Sequence, residues 1–362
     1  MTHYPFRNLV LQGGGVKSFA YHGVIVALEE AEILPQIERV GGSSAGALTA
    51  AILSFRLSAA ESVALYSTLD YSKVPGLKTA VRLPSRLINT SLAKDVVQNV
   101  DAFNRLLRHY GWYDTDYAYT WLQETIAAHA GDGRATFADF RQKGFRDLHV
   151  VAANLSRCRL QTFSAETTPE TAVADALLLS QSLPLFFAAP QFDGQTLGQG
   201  DYYCDGGILS TYPLHLFDAP QYAADNPYYQ SDINWETIGC RFYTPPECAD
   251  ANHRPISNLP TYIANLFEAL LEAQTIAHEQ RPADRQRTID VNNCCVSPID
   301  FSVQPHPENE TYQKLVAAGE TAVSHYLAHY TPPDLSDEGS LSQRVLRQME
   351  RFFHFRSRQA NP

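Results

Sequence analysis

The sequence lacks a membrane-length apolar run, a positive charge excess and any cysteine pair at metal-binding spacing. Apolar stretches such as Ala45 to Leu53 fall short of the ~20 residues that cross a bilayer, so no segment is expected to span one. The 28 Lys and Arg residues are outnumbered by 39 Asp and Glu, for a formal charge of -11. A polyanion wants the opposite sign, which argues against a nucleic-acid partner. The six cysteines (Cys158, Cys204, Cys240, Cys248, Cys294 and Cys295) make no Cys-x-x-Cys motif and have no histidine at zinc-like spacing. A chain this long needs no disulfide framework, so reduced, mostly buried thiols are the expectation, with no metal or cofactor. Met1 to Arg7 leads straight into an apolar strand without the three regions of a secretory signal. A cytoplasmic or membrane-peripheral location is expected, with non-classical secretion left open.

What is present is a 44% hydrophobic composition, enough for a sizeable core, and an early repetition of strand, glycine turn and helix. Asn8 to Gln12 reads as a strand that ends in Gly13-Gly14-Gly15, and Phe19 to Glu32 follows with apolar residues at helical spacing. Ile37 to Val40 is a second strand, then a Gly/Ser cluster from Gly41 to Gly46, then a helix over Ala47 to Arg56. Two such units in succession imply parallel strands and an α/β fold with a central, mostly parallel sheet flanked by helices.

Further along, helices are expected over Tyr117 to Ala130, Thr171 to Ser182, Leu259 to Gln280 and Tyr312 to His329. Strands are expected over Asp147 to Leu155, Arg159 to Ser164, Leu197 to Ile208, Thr237 to Tyr243 and Arg287 to Val291. Tyr71 to Thr115 lacks clean periodicity and reads as irregular or short-helical cover, a candidate lid. One domain over residues 1–330 is expected, followed by a polar linker and a basic amphipathic helix from Leu341 to Arg358. That helix suits either docking on the domain or lying on an anionic lipid surface.

Three motifs carry chemistry. Gly42-Ser43-Ser44-Ala45-Gly46 fits G-x-S-x-G between a strand and a helix, the setting in which a sharp turn lifts a serine hydroxyl clear of the backbone. The frame selects Ser44 over Ser43, since only Ser44 has glycine two residues away on both sides; the bland alternative is a tight turn. Gly13-Gly14-Gly15-Val16-Lys17-Ser18 can converge backbone amides on an anion at a helix start. Val16 before Lys17 spoils a Walker loop, and Ser18 occupies the third position of a dinucleotide fingerprint, which leaves an oxyanion hole beside Ser44. Ala45 would contribute an amide from the first turn of the following helix. Asp205-Gly206-Gly207, in an apolar strand, supplies a third element, although Asp before glycine is often only a turn. Asp193 and Asp201 compete, Asp193 as a hairpin turn.

Together these motifs resemble the patatin-like phospholipase family: a glycine-rich loop, G-x-S-x-G, then an aspartate before two small residues. The similarity runs over roughly residues 8–330. The resemblance implies a patatin-like three-layer fold and a serine-aspartate dyad, with Ser44 as nucleophile and Asp205 as base. It also implies oxyanion donors among Gly13, Gly14, Gly15 and Ala45, supported by Gly42, Gly46, Lys17, Gly206 and Gly207. The implied substrate is a lipid or phospholipid ester at a membrane surface, cleaved as by a phospholipase A or lysophospholipase without cofactor or metal; a protein activator is left open. Three positions depart from the family's habit: Ser18 for glycine, Lys17 for arginine and Thr211 for asparagine. They leave open a catalytically impaired module that binds lipid or a partner, and an acyltransferase could use the same serine.

Overall fold

The computed structural model describes residues 4–76, 101–248, 256–278, 281–333 and 335. In chain order the strands are β1 (Asn8–Leu11), β2 (Arg39–Ser43), β3 (Gly111–Tyr113), β4 (Asp147–Asn154), β5 (Arg159–Phe163), β6 (Leu185–Phe187), β7 (Gln191–Phe192), β8 (Asp201–Asp205), β9 (Tyr229–Gln230), β10 (Ile233–Asn234), β11 (Thr237–Tyr243) and β12 (Thr288–Asn292). Eight of them form the main sheet, in the order β12-β11-β1-β2-β4-β8-β7 with β5 also paired to β4. The run from β12 to β4 is parallel, whereas β5, β7 and β8 join antiparallel. β3 with β6, and β9 with β10, make two small separate pairs.

Near-continuous apolar runs explain why the parallel strands sit at the centre: β1 is buried at every residue, and β4 at all but its first. Alternation then sorts side chains to two sides. Leu9 and Leu11 face the main core shared with α1 (Ala20–Glu30), α2 (Ala45–Ser54), the Val173–Gln181 helix and the Glu310–Ala328 helix. Val10 faces a smaller cluster with Tyr212, Leu214, Phe217 and Tyr222. That side is closed by the segment that follows Asp205, including short 3-10 turns at Leu214–Phe217 and Pro220–Tyr222. A third cluster, Leu183, Phe186, Phe187, Ile263, Phe267 and Leu271, joins the Leu259–His278 helix to β6.

Several expectations need correction. The strand expected over Leu197 to Ile208 is confined to Asp201–Asp205, because Gly198 and Gly200 adopt positive φ ahead of it and a 3-10 turn begins at Gly206. Leu185–Phe187 is strand, although three residues beside Pro184 carry no readable period. Within the candidate lid, residues 101–109 are helical and residues 77–100 lie outside the described residues, as does the expected basic helix from Leu341 to Arg358. The thiols are not all reduced: Cys248 and Cys295 form a disulfide, with their Cα atoms 5.3 Å apart. Of the rest, Cys204 and Cys240 are buried, Cys294 is half-buried and Cys158 is exposed. No described helix is long and apolar enough to cross a membrane.

Candidate active site

The register around β4 explains how residues distant in sequence meet. β2 pairs along β4 up to Ser43↔Val151, and β8 pairs antiparallel from Ala152↔Asp205 to Asn154↔Tyr203. β5 overlaps both along residues 150–154 and so occupies the opposite edge of β4. β2 and β8 therefore share one edge, end to end, with their carboxyl ends meeting between residues 151 and 152. Ser44 is the first residue past one end and Asp205 the last residue of the other.

At that junction Ser44 Oγ donates to Asp205 Oδ2 at 2.5 Å. Ser44 links β2 to α2 with φ 54° and ψ -130°, a conformation a side chain adopts only under constraint. The constraint comes from close backbone packing. A Cβ on Gly46 would sit 2.4 Å from the Leu11 carbonyl oxygen, and one on Gly42 would sit 2.5 Å from the Gly46 carbonyl carbon. The strained turn is further anchored by the Ser44 amide, which donates to Ser180 Oγ at 2.9 Å, while Ser180 Oγ donates to the Val151 carbonyl at 2.7 Å. Ser43 is buried and turned away, its Oγ close to Gly206, which leaves no room for a side chain there.

Asp205 is almost wholly buried. Burial pushes its carboxyl up to about 7, against the opposing pull of hydrogen bonds from the Ser44 hydroxyl and from the Gly207 amide to Oδ1 at 2.7 Å. A carboxylate in that range is matched to proton transfer near neutral pH. The competing aspartates are accounted for elsewhere: Asp193 accepts the amides of Gln195 and Thr196 in a surface hairpin, and Asp201 pairs with Arg157 at 2.6 Å.

The glycine loop lies against this pair. A Cβ on Gly13 would stand 2.9 Å from Ser44 Cβ. Gly13 itself is a correction to the expected oxyanion set: its amide donates to the Thr211 carbonyl at 2.9 Å and so faces the loop after Asp205. Gly14 and Gly15 open a 3-10 turn and Ala45 opens α2, positions whose amides have no acceptor within their own helical turn. Gly15 has φ +55°, and a Cβ there would overlap the Pro298 carbonyl, which accepts the Val16 amide at 3.0 Å. Lys17 is buried and its Nζ lies 3.3 Å from Glu268 on the Leu259–His278 helix. Ser18 and Thr211 are buried, with no hydrogen-bond partner for either hydroxyl oxygen among the described residues.

Ser44 and Asp205 open onto a cavity of about 100 Å³ with strongly apolar walls, including Leu48, Leu69, Leu178, Leu183, Phe187 and Phe267. Among the described residues, no histidine lines it. The two most deeply buried of the described histidines, His22 and His149, are held well below the usual imidazole range by burial, to about 3 and about 4.

Gln274 and Pro298 also shape the site but carry no motif of their own. Gln274 does leave a trace, being polar three residues after the buried stripe Ile263, Phe267 and Leu271.

Comparison with known proteins agrees with this architecture. A sequence profile described as patatin-like phospholipase matches residues 9–218, more than half of the chain. Uncharacterized protein R571 of Acanthamoeba polyphaga mimivirus is 26% identical over 308 residues, covering 84% of this chain and 89% of that protein. Probable lipid hydrolase 463L of Invertebrate iridescent virus 6 is 28% identical over 81 residues, covering 22% of this chain and 26% of that protein. Among solved structures, VipD from Legionella pneumophila superposes with a TM-score of 0.53 at 18% identity, covering 90% of this chain and 67% of that one.

Proposed function

The chain belongs to the patatin-like phospholipase family, and from that premise we propose that it hydrolyses lipid carboxylic esters through an acyl-enzyme on Ser44, with Asp205 as base. The observation that carries the reading is the 2.5 Å hydrogen bond from a constrained serine hydroxyl to a buried carboxylate, at the wall of an apolar cavity. The name of one relative, probable lipid hydrolase, points the same way.

The sequence of events follows from the contacts. As Ser44 Oγ attacks the ester carbonyl, its proton passes to Asp205 Oδ2, already its hydrogen-bond partner. Negative charge growing on the carbonyl oxygen is met by the amides of Gly14, Gly15 and Ala45, aided by the positive end of α2. Asp205 returns the proton to the departing alcohol, then takes one from the water that releases the acyl group. The Gly207 amide on Oδ1 keeps the other carboxylate oxygen turned toward Ser44 throughout.

The apolar cavity suits an acyl chain and offers little to a charged headgroup. A phospholipase A or lysophospholipase activity at a membrane surface is therefore the finer reading. Phosphatidylcholine vesicles incubated with the wild-type protein should yield free fatty acid and lysophospholipid by mass spectrometry, and Ser44→Ala should yield neither. Equal product from both proteins would refute the assignment.

A further inference from the structure

Gln274 is the polar residue through which the Leu259–His278 helix reaches the backbone around Asp205. Its Nε2 donates to the carbonyls of Gly207 at 2.7 Å and Ile208 at 3.3 Å, and its Oε1 accepts the Thr211 amide at 2.8 Å. The amide orientation is determined by its partners, because reversing it would set an oxygen against two carbonyls and an NH2 against an N–H. The contacts extend in two directions. Gly207 donates its own amide to Asp205 Oδ1, and the Thr211 carbonyl accepts the Gly13 amide. Close approach of the helix is possible because Gly207 has no side chain; a Cβ there would sit 3.2 Å from both Phe267 and Leu271.

We propose that Gln274 is a positioning residue that ties the Asp205 loop and the oxyanion turn into one register through a single side-chain amide. The inference rests on the hydrolase reading above and deepens it. Without Gln274, the Gly207 and Ile208 carbonyls lose their side-chain donor, so the turn that presents the Gly207 amide to Asp205 shifts even though the Leu209 and Ser210 amides still hold the Gly206 carbonyl, while Thr211 loses the contact that steadies Gly13 against Ser44. Both faults displace reacting groups without removing them, so turnover should suffer more than substrate binding.

The ionisable groups around Asp205 leave the test readable. The Cys204 thiol, one residue before Asp205, is pushed up to about 12 by burial and by the Asp205 charge, so it stays neutral. Lys17 and Glu268, brought by the glycine turn and the packed helix, face each other at 3.3 Å.

Purified Gln274→Met and Gln274→Glu should be assayed on p-nitrophenyl butyrate across a range of pH, with melting curves to verify folding. For Gln274→Met we expect kcat to drop ~10- to 100-fold with KM nearly unchanged, by analogy with small misplacements of catalytic groups. The acid limb of kcat/KM should also move to higher pH, because a carboxylate that loses an N–H donor becomes more basic. Gln274→Glu should improve relative to Gln274→Met as pH falls, when its carboxyl protonates and its O–H can donate to the Gly207 carbonyl. A folded Gln274→Met with wild-type kcat and an unshifted acid limb would overturn the proposal. A wild-type protein inert both to esters and to a fluorophosphonate would overturn the hydrolase reading itself, and this inference with it.

Discussion

Replacing Asp205 by asparagine should make the protein more stable and inactive, with a gain that grows with pH. An unfolded aspartate titrates near ~3.9, and burial lifts Asp205 to about 7 in the folded chain. Between those values the folded state holds a proton that the unfolded state has lost, so stability falls as pH rises through that window. The favourable contribution of the protonated carboxyl is complete below the unfolded value and is lost above about 7. Integrating the two titrations gives a cost of ~1.5 kcal/mol at about pH 5 and ~4 kcal/mol at about pH 8.5 relative to a group that never ionises. Asparagine does not ionise, fits the same space, and can accept the Gly207 amide through Oδ1 while its NH2 meets Ser44 Oγ. Urea titrations of both proteins at the two pH values should therefore show the variant's advantage widening by ~2.5 kcal/mol, an order-of-magnitude figure. Taking the difference between the two proteins cancels every other titrating group. An advantage that does not change with pH would refute the description of Asp205 as a buried base whose ionisation opposes folding.

Ser44→Gly should exceed Ser44→Ala in stability by ~1 kcal/mol, because φ 54° strains alanine and not glycine; equal urea midpoints would show the turn to be relaxed. Removing the disulfide with Cys248→Ser should cost ~2–4 kcal/mol for a closure of 47 residues. A reductant should lower the melting temperature of the wild type and leave this variant unmoved; a response in both would place the sensitivity elsewhere.

The local motifs were readable because each is a backbone device with a chemical signature. Glycines at positions 42 and 46 mark a turn where no side chain fits, and both lie against backbone atoms in the structure. Strand-turn-helix repetition likewise implied the parallel centre of the sheet. What could not be read is the end-to-end meeting of β2 and β8, since pairing direction is set by the whole topology and leaves no mark on Asp201–Asp205.

Gly13 illustrates a second limit. A glycine-rich turn advertises amides, but which amide is spent on structure depends on a partner, here Thr211, almost two hundred residues away. Gln274 was hidden for the same reason, being one polar residue in an amphipathic helix until its acceptors are placed. The disulfide escaped because Cys248 and Cys295 are 47 residues apart and their approach depends on where the strand ends of β11 and β12 lead.

The central claim is that Ser44 is an activated nucleophile, and covalent labelling reads it directly. Wild type, Ser44→Ala and Asp205→Asn should be incubated with a fluorophosphonate and the adducts mapped by peptide mass spectrometry. Modification of Ser44 in the wild type, absent from Ser44→Ala and strongly slowed in Asp205→Asn, is the expected result. Labelling that persists at full rate in Asp205→Asn, or an adduct on a different residue, would contradict it.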